Sequence, residues 1–144
     1  MPLPWPIPVM VVRSYVDEEG GQLLVKRGDN SGMLSFQKLD VYRAAIEFLA
    51  LALEIIRLLP RGHADLADQL KRSAHSTPQN IAEGAGRMTK ADKAKHFEIA
   101  RGEAMESACT LDLLKLEELV DAGRYTRGMD LLERIVSMLS KMVI

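Results

Sequence analysis

The chain has few of the residues that do chemistry. Its 144 residues hold one cysteine, Cys109, which excludes an intrachain disulfide and a thiolate metal cluster. Aromatics make up 5%, too few for the interleaved aromatic and basic pattern that stacks single-stranded bases. Lys and Arg number 19 against 20 Asp and Glu, a formal net charge of -1. The general basic surplus of a nucleic-acid binder is therefore missing, and any such contact must come from a local patch. No apolar run reaches the roughly 18 residues that span a bilayer, so no membrane partner is expected. The opening MPLPWPIPVMVV is apolar, but it lacks a basic n-region and its prolines break an h-region helix. It does not read as a signal peptide, and a cytoplasmic chain is the simplest expectation.

What remains is rich in aliphatic residues and alanine, a bias that suits packed helices better than sheets. The length fits one domain able to bury its own core. Residues 1–35 stand apart from the rest. Pro2, Pro4, Pro6 and Pro8 impose an extended lead. Two short β-rich runs around Asp17-Glu18-Glu19-Gly20-Gly21 have the form of a hairpin. The alternatives are an ordered hairpin lying on the bundle and a flexible extension, with Met33 as another possible start.

From Phe36 the period is helical. Leu39, Tyr42, Ala45-Ile46, Leu49 and Leu53 recur at three and four, continuing through Ile55-Ile56 to a stop at Pro60-Arg61-Gly62. Ser35 or Asp40 is placed to cap this helix. Between Ala44 and Leu53 only Glu47 interrupts an apolar surface, which implies burial on more than one face, as self-association provides. A second helix starts near His63 to Asp65 with Leu66, Leu70, Ala74 and Ile81 on its apolar face. Pro78 should bend it, and Gly84 or Gly86 should end it with a left-handed cap. Thr89-Lys90-Ala91-Asp92 resembles a capping box. The third helix carries Phe97, Ala100, Ala104, Ala108, Leu111 and Leu114, and runs toward Leu119-Val120 and a stop at Asp121-Ala122-Gly123. The last helix covers Tyr125 to Val143. Short connections between four such helices predict an all-α, antiparallel up-down-up-down four-helix bundle over 36–144.

The residues after Phe36 resemble a family of bacterial four-helix-bundle proteins. It is named for reading frames in intervening sequences of 23S rRNA genes and is related to accessory proteins of diversity-generating retroelements. The likeness rests on Gln69-Leu70-Lys71-Arg72-Ser73-Ala74 and on Ser76-Thr77-Pro78-Gln79-Asn80-Ile81-Ala82-Glu83-Gly84. Phe36, Leu39, Val41 and Tyr42 add to it, as do Phe97, Ile99-Ala100-Arg101-Gly102 and Glu106, although the family more often has tryptophan at Tyr42 and serine at Glu103. The resemblance covers about three quarters of the chain. It implies a homopentamer around a central channel and no settled biochemical role. In the retroelement proteins it implies binding to nucleic acid and to a reverse transcriptase, but those proteins are strongly basic.

The candidate sites follow. Gln69, Pro78, Asn80, Glu83, Gly84, Arg101 and Glu106 form the motif set. Asn80 and Glu83, three apart on a helix, are expected to satisfy backbone groups freed near Pro78 and to pair with Arg101. His63, His75 and His96 supply no Glu-x-x-His motif, so no metal site and no cofactor is expected. Cys109 lies beside the small-residue seam and reads as a buried small hydrophobe with no base to activate it. Lys71 and Arg72, with Arg87, Lys90 and Lys93 at the start of the third helix, are the candidates for contact with RNA or DNA. The leading expectation is a non-enzymatic oligomeric binding or scaffold protein, and the alternative is a nucleic-acid accessory protein acting through that basic rim.

Overall fold

The computed structural model describes residues 34–143. The Pro-rich arm or hairpin expected over 1–35 lies outside the described residues, apart from its last two positions. Among the described residues there is no strand. A 3-10 turn, Ser35–Lys38, leads into α1 (Asp40–Leu58), followed by α2 (Ala64–Gly86), α3 (Lys90–Leu116) and α4 (Ala122–Met142). Each helix packs on its neighbours in sequence, and α4 closes against α1. α1 and α3 stand at diagonal corners and share no backbone approach. With short connections this is the expected up-down-up-down bundle.

The helix starts follow side-chain chemistry in two cases of four. Thr89 Oγ1 accepts from the Asp92 amide at 3.0 Å, as its spacing predicts. Asp121, expected to terminate α3, instead caps α4: its Oδ1 accepts from the Arg124 amide at 2.8 Å. That backbone bond, with the Arg124 side chain, holds the Asp121 carboxyl below the usual carboxylate range. α3 accordingly ends at Leu116, earlier than its periodicity suggests, and Glu118 makes the turn at φ 58°. Neither Ser35 nor Asp40 caps α1. Leu39 stands at its N-cap without a side-chain bond, and Asp40 lies in the first turn.

The core face of α1 is Val41, Ala44, Ala45, Phe48, Leu51, Ala52 and Ile55. It is rotated from the expected stripe, whose Leu39, Tyr42, Ile46, Leu49, Leu53 and Ile56 are only half-buried. A helix apolar almost all round does not select its inner face by periodicity. The acids do: Glu54 accepts from Arg124 Nε at 2.6 Å and Glu47 from Arg127 at 3.2 Å, which turns that side toward α4. α2 meets the expectation better, with Leu70, Ala74 and Ile81 fully buried.

Pro78 sits inside an unbroken α2. It has no N–H to give the Ala74 carbonyl, while Thr77 and Asn80 turn their side chains to the carbonyls of Ser73 and Ser76, each at 3.0 Å. Neither expected left-handed glycine is one. The only glycine with positive φ among the described residues is Gly62, at 96°, in the α1–α2 turn. Gly84 is helical for a steric reason: an added Cβ would lie 2.6 Å from Phe97 Cε1 and 3.2 Å from His96 Cβ. Around Gly86 there is open space.

These environments predict opposite signs for the same substitution. Gly84→Ala should destabilise by about 1–2 kcal/mol, the overpacking cost less the helix-propensity gain. Gly86→Ala should stabilise by a few tenths to about 1 kcal/mol. Urea denaturation of both variants measures the difference, and equal effects would remove the close-approach explanation.

Candidate functional site

The motif residues concentrate on the α2–α3 contact but do not form one cluster. Arg72 reaches across from α2 to Glu103 at 3.3 Å and to Glu106. Ser73 Oγ and Ser107 Oγ meet at 2.7 Å with both side chains wholly buried. Thr77 and Thr110 lie buried beside them and bond back to the carbonyls of Ser73 and Glu106. Farther along α2, Asn80 donates to the Ser76 carbonyl and hydroxyl at 3.0 Å, and its Oδ1 lies 3.5 Å from His96 Nδ1.

The expected Glu83–Arg101 pair does not form. Glu83 faces solvent and binds Arg87 at 2.6 Å, one helical turn on. Arg101 Nε instead donates to Ser140 Oγ at 2.7 Å, joining α3 to α4. The reason is angular: Glu83 is exposed on the side of α2 away from the core, while Arg101 lies on the α4 side of α3. Gln69 is exposed and makes no side-chain bond among the described residues. Cys109 is also exposed, contrary to expectation. The small-residue seam of α3 is Ala100, Ala104 and Ser107, and Cys109 falls outside it by about two residues' rotation.

The candidate basic residues divide into two groups. Lys71 and Arg72 precede Arg87 by some four turns of α2, about 24 Å. Arg72 is engaged by two carboxylates, Arg87 by Glu83, and Lys93 Nζ donates to the Ala85 carbonyl at 3.0 Å, closing the α2–α3 turn. Lys71 and Lys90 are exposed and make no ion pair among the described residues.

Chemically, the hydroxyl seam is buried, and among the described residues no base touches it. The Asn80–His96 contact has no nucleophile in line, because Ser76 Oγ bonds to the amide of Asn80. No group of three His, Cys, Asp or Glu among the described residues could hold a metal. No helix of the described residues is long and apolar enough to cross a membrane. A surface depression of about 660 Å³ between α1 and α4 is lined by residues that include Glu47, Arg127, Asp130 and Arg134, with Glu47 and Arg127 already paired.

A four-helix bundle tied together by hydroxyls and ion pairs, with no assembled catalytic set among the described residues, defines a structural class rather than an activity. Residues 37–141 match the family described as 23S rRNA-intervening sequence protein, and the chain belongs to it. It is also similar to a solved structure from Bacteroides thetaiotaomicron VPI-5482, a protein with unknown function from the S23 ribosomal protein family. That likeness is 24% in identity, with a TM-score of 0.67, and covers 72% of this chain and 97% of that one. At this identity it shows the shared fold. No curated protein matches the chain.

The Ser73–Ser107 bond was not foreseen, although a serine between Leu70 and Ala74 on the apolar face was its signal. Ser73→Ala should cost about 1–3 kcal/mol, because it leaves the Ser107 hydroxyl buried and unpaired. Replacing both with alanine should recover much of that loss. A double-mutant cycle in urea reads the coupling, and additive losses would contradict a shared bond.

Proposed function

We propose that the protein is a non-enzymatic homo-oligomer, five bundles in the family-like assembly, that works as a binding or scaffold module. The observation that carries this is the outward face of α3. Ile99 is 41% exposed, Met105 47%, Leu113 38% and Leu116 80%, all on the side opposite the buried Phe97, Ala100, Ala104 and Leu111. Apolar side chains of this size gathered along one outer helix face mark a contact surface. The half-buried second stripe of α1 adds to it. A non-enzymatic role is supported by the burial of the hydroxyl seam and by the engagement of Arg72, Glu83 and Arg101 with side chains of the same chain. Light scattering on the full chain should give a mass several times the 16.0 kDa of one copy, near five. A single-copy mass at micromolar concentration would overturn the reading.

The second reading is an RNA- or DNA-binding accessory role, with a protein such as a reverse transcriptase as a further partner. Its support is the exposure of Lys71 and Lys90 without ion-pair partners among the described residues. Binding to RNA should then weaken steeply from 50 to 200 mM salt and be lost in Lys71→Glu/Lys90→Glu. Affinity unchanged by that pair of substitutions would remove it.

A further inference from the structure

We propose that the apolar groove between α3 and α4 is the seat of this chain's own residues 2–13, which precede the described part of the chain. The contact lies within one copy and does not depend on self-assembly. The groove encloses about 440 Å³ and is floored by Met105 and Ala108 of α3 and by Met129, Leu132 and Val136 of α4. Leu132 is buried, Ala108, Met129 and Val136 are half-buried, and Met105 is 47% exposed. Apolar side chains gathered in a concave strip gain from an occupant that takes them out of water. Met105 forms the α4 edge of the outward α3 face. Leu113 lies about 80° farther round the helix and does not line the groove.

The first ground is what such a groove accepts. Its walls are helices whose peptide groups are already bonded, so an entering chain finds no backbone partners there. The occupant must therefore bring few N–H groups that need one. Residues 2–12, Pro-Leu-Pro-Trp-Pro-Ile-Pro-Val-Met-Val-Val, answer that need. Their four alternating prolines have no N–H and favour an extended chain, which lowers the cost of ordering it. At about 3.1 Å per residue, four such residues match the roughly 12 Å between Met129 and Ser137 along α4.

The second ground is charge. Residues 1–12 carry none, Arg13 follows them directly, and the acids of the arm begin only at Asp17. The groove is rimmed by Asp130 and Glu133, both exposed and without an ion pair among the described residues. Arg134 lines the other depression, toward α1, and Arg101 is engaged by Ser140. An uncharged apolar run that ends in a base thus meets an apolar groove with an acidic rim.

The third ground is reach. The 3-10 turn after Leu34 packs on α1 and α2, across the bundle from the groove. The path to the groove is about two helix diameters round the bundle, some 24 Å, and about 20 Å along it. The 20 residues between Arg13 and Leu34 span up to about 66 Å, so the arm reaches its own groove.

The test reads Trp5, the one tryptophan of the chain. In the full-length protein its emission should lie to the blue of a peptide of residues 1–14, resist acrylamide quenching severalfold better, and stay unchanged on dilution. Met105→Glu, at an exposed position, should move the emission to that of the peptide while circular dichroism stays helical. Arg13→Glu, outside the bundle, should raise the quenching, and adding Glu133→Arg should lower it again, a rescue that a general loss of stability does not produce. Leu113→Glu should change nothing. Peptide-like emission in the wild type, or wild-type emission in Met105→Glu, would overturn the proposal. A blue-shifted Trp5 that responds to Leu113→Glu instead would put the arm on the outward α3 face, and one that reddens on dilution would put it on another copy. Either result overturns the contact as well.

Discussion

The close approach of α2 and α3 is the constraint on which the rest of the bundle depends. Gly84 gives its place to the Phe97 ring, while Ala74, Ala100 and Ala104 keep that contact thin and wholly buried. At that separation two serine hydroxyls, Ser73 and Ser107, can span the gap with one 2.7 Å bond. A larger residue at any of these positions would push the helices apart and strand both hydroxyls. The Arg72 ion pairs and the Lys93 bond to the Ala85 carbonyl then close the outer edge and the turn of the same pair. They are surface interactions of modest individual worth, and they follow from the packing rather than cause it.

That constraint explains why a proline is tolerated in the middle of α2. Pro78 is buried within an unbroken helix, and the missing backbone bond is local to the Ala74 carbonyl. Tertiary contact on either side, through Ala74 and Ile81, holds the helical path where propensity alone would end it. The conspicuous Pro-Gln-Asn-Ile-Ala-Glu-Gly run is thus accounted for by packing at Pro78, Ile81 and Gly84 and by local bonding at Asn80 and Glu83.

The legible parts of the fold are those where a single physical cue has no rival. Thr89 with Asp92 three residues on marks a helix start, and Pro60-Arg61-Gly62 marks a stop. Both are in place. The four helices and their order follow from such punctuation. The inner face of α1 was not legible, because Ala44 to Leu53 is apolar on nearly all sides and the decision rests with Arg124 and Arg127, some 70 to 80 residues away. Asp121 was ambiguous for a related reason. An Asp before Ala-Gly can end one helix or begin another, and here it begins α4. Glycine misled in the same way: Gly84 looks like a helix stop in the sequence, yet its function is to leave room for Phe97. The partners of the motif residues are the least legible, since the spacing pairs Glu83 with Arg101 while Glu83 binds Arg87 and Arg101 binds the Ser140 hydroxyl.

The distribution of apolar residues on α3 connects fold to function. A helix that only had to complete a four-helix core would carry one apolar face and a polar back. α3 carries Phe97, Ala100, Ala104 and Leu111 inward, and Ile99, Leu113 and Leu116 outward. The two sets meet different demands, because folding of the single chain uses the first alone. The outward set is the surface that the proposed self-assembly would use.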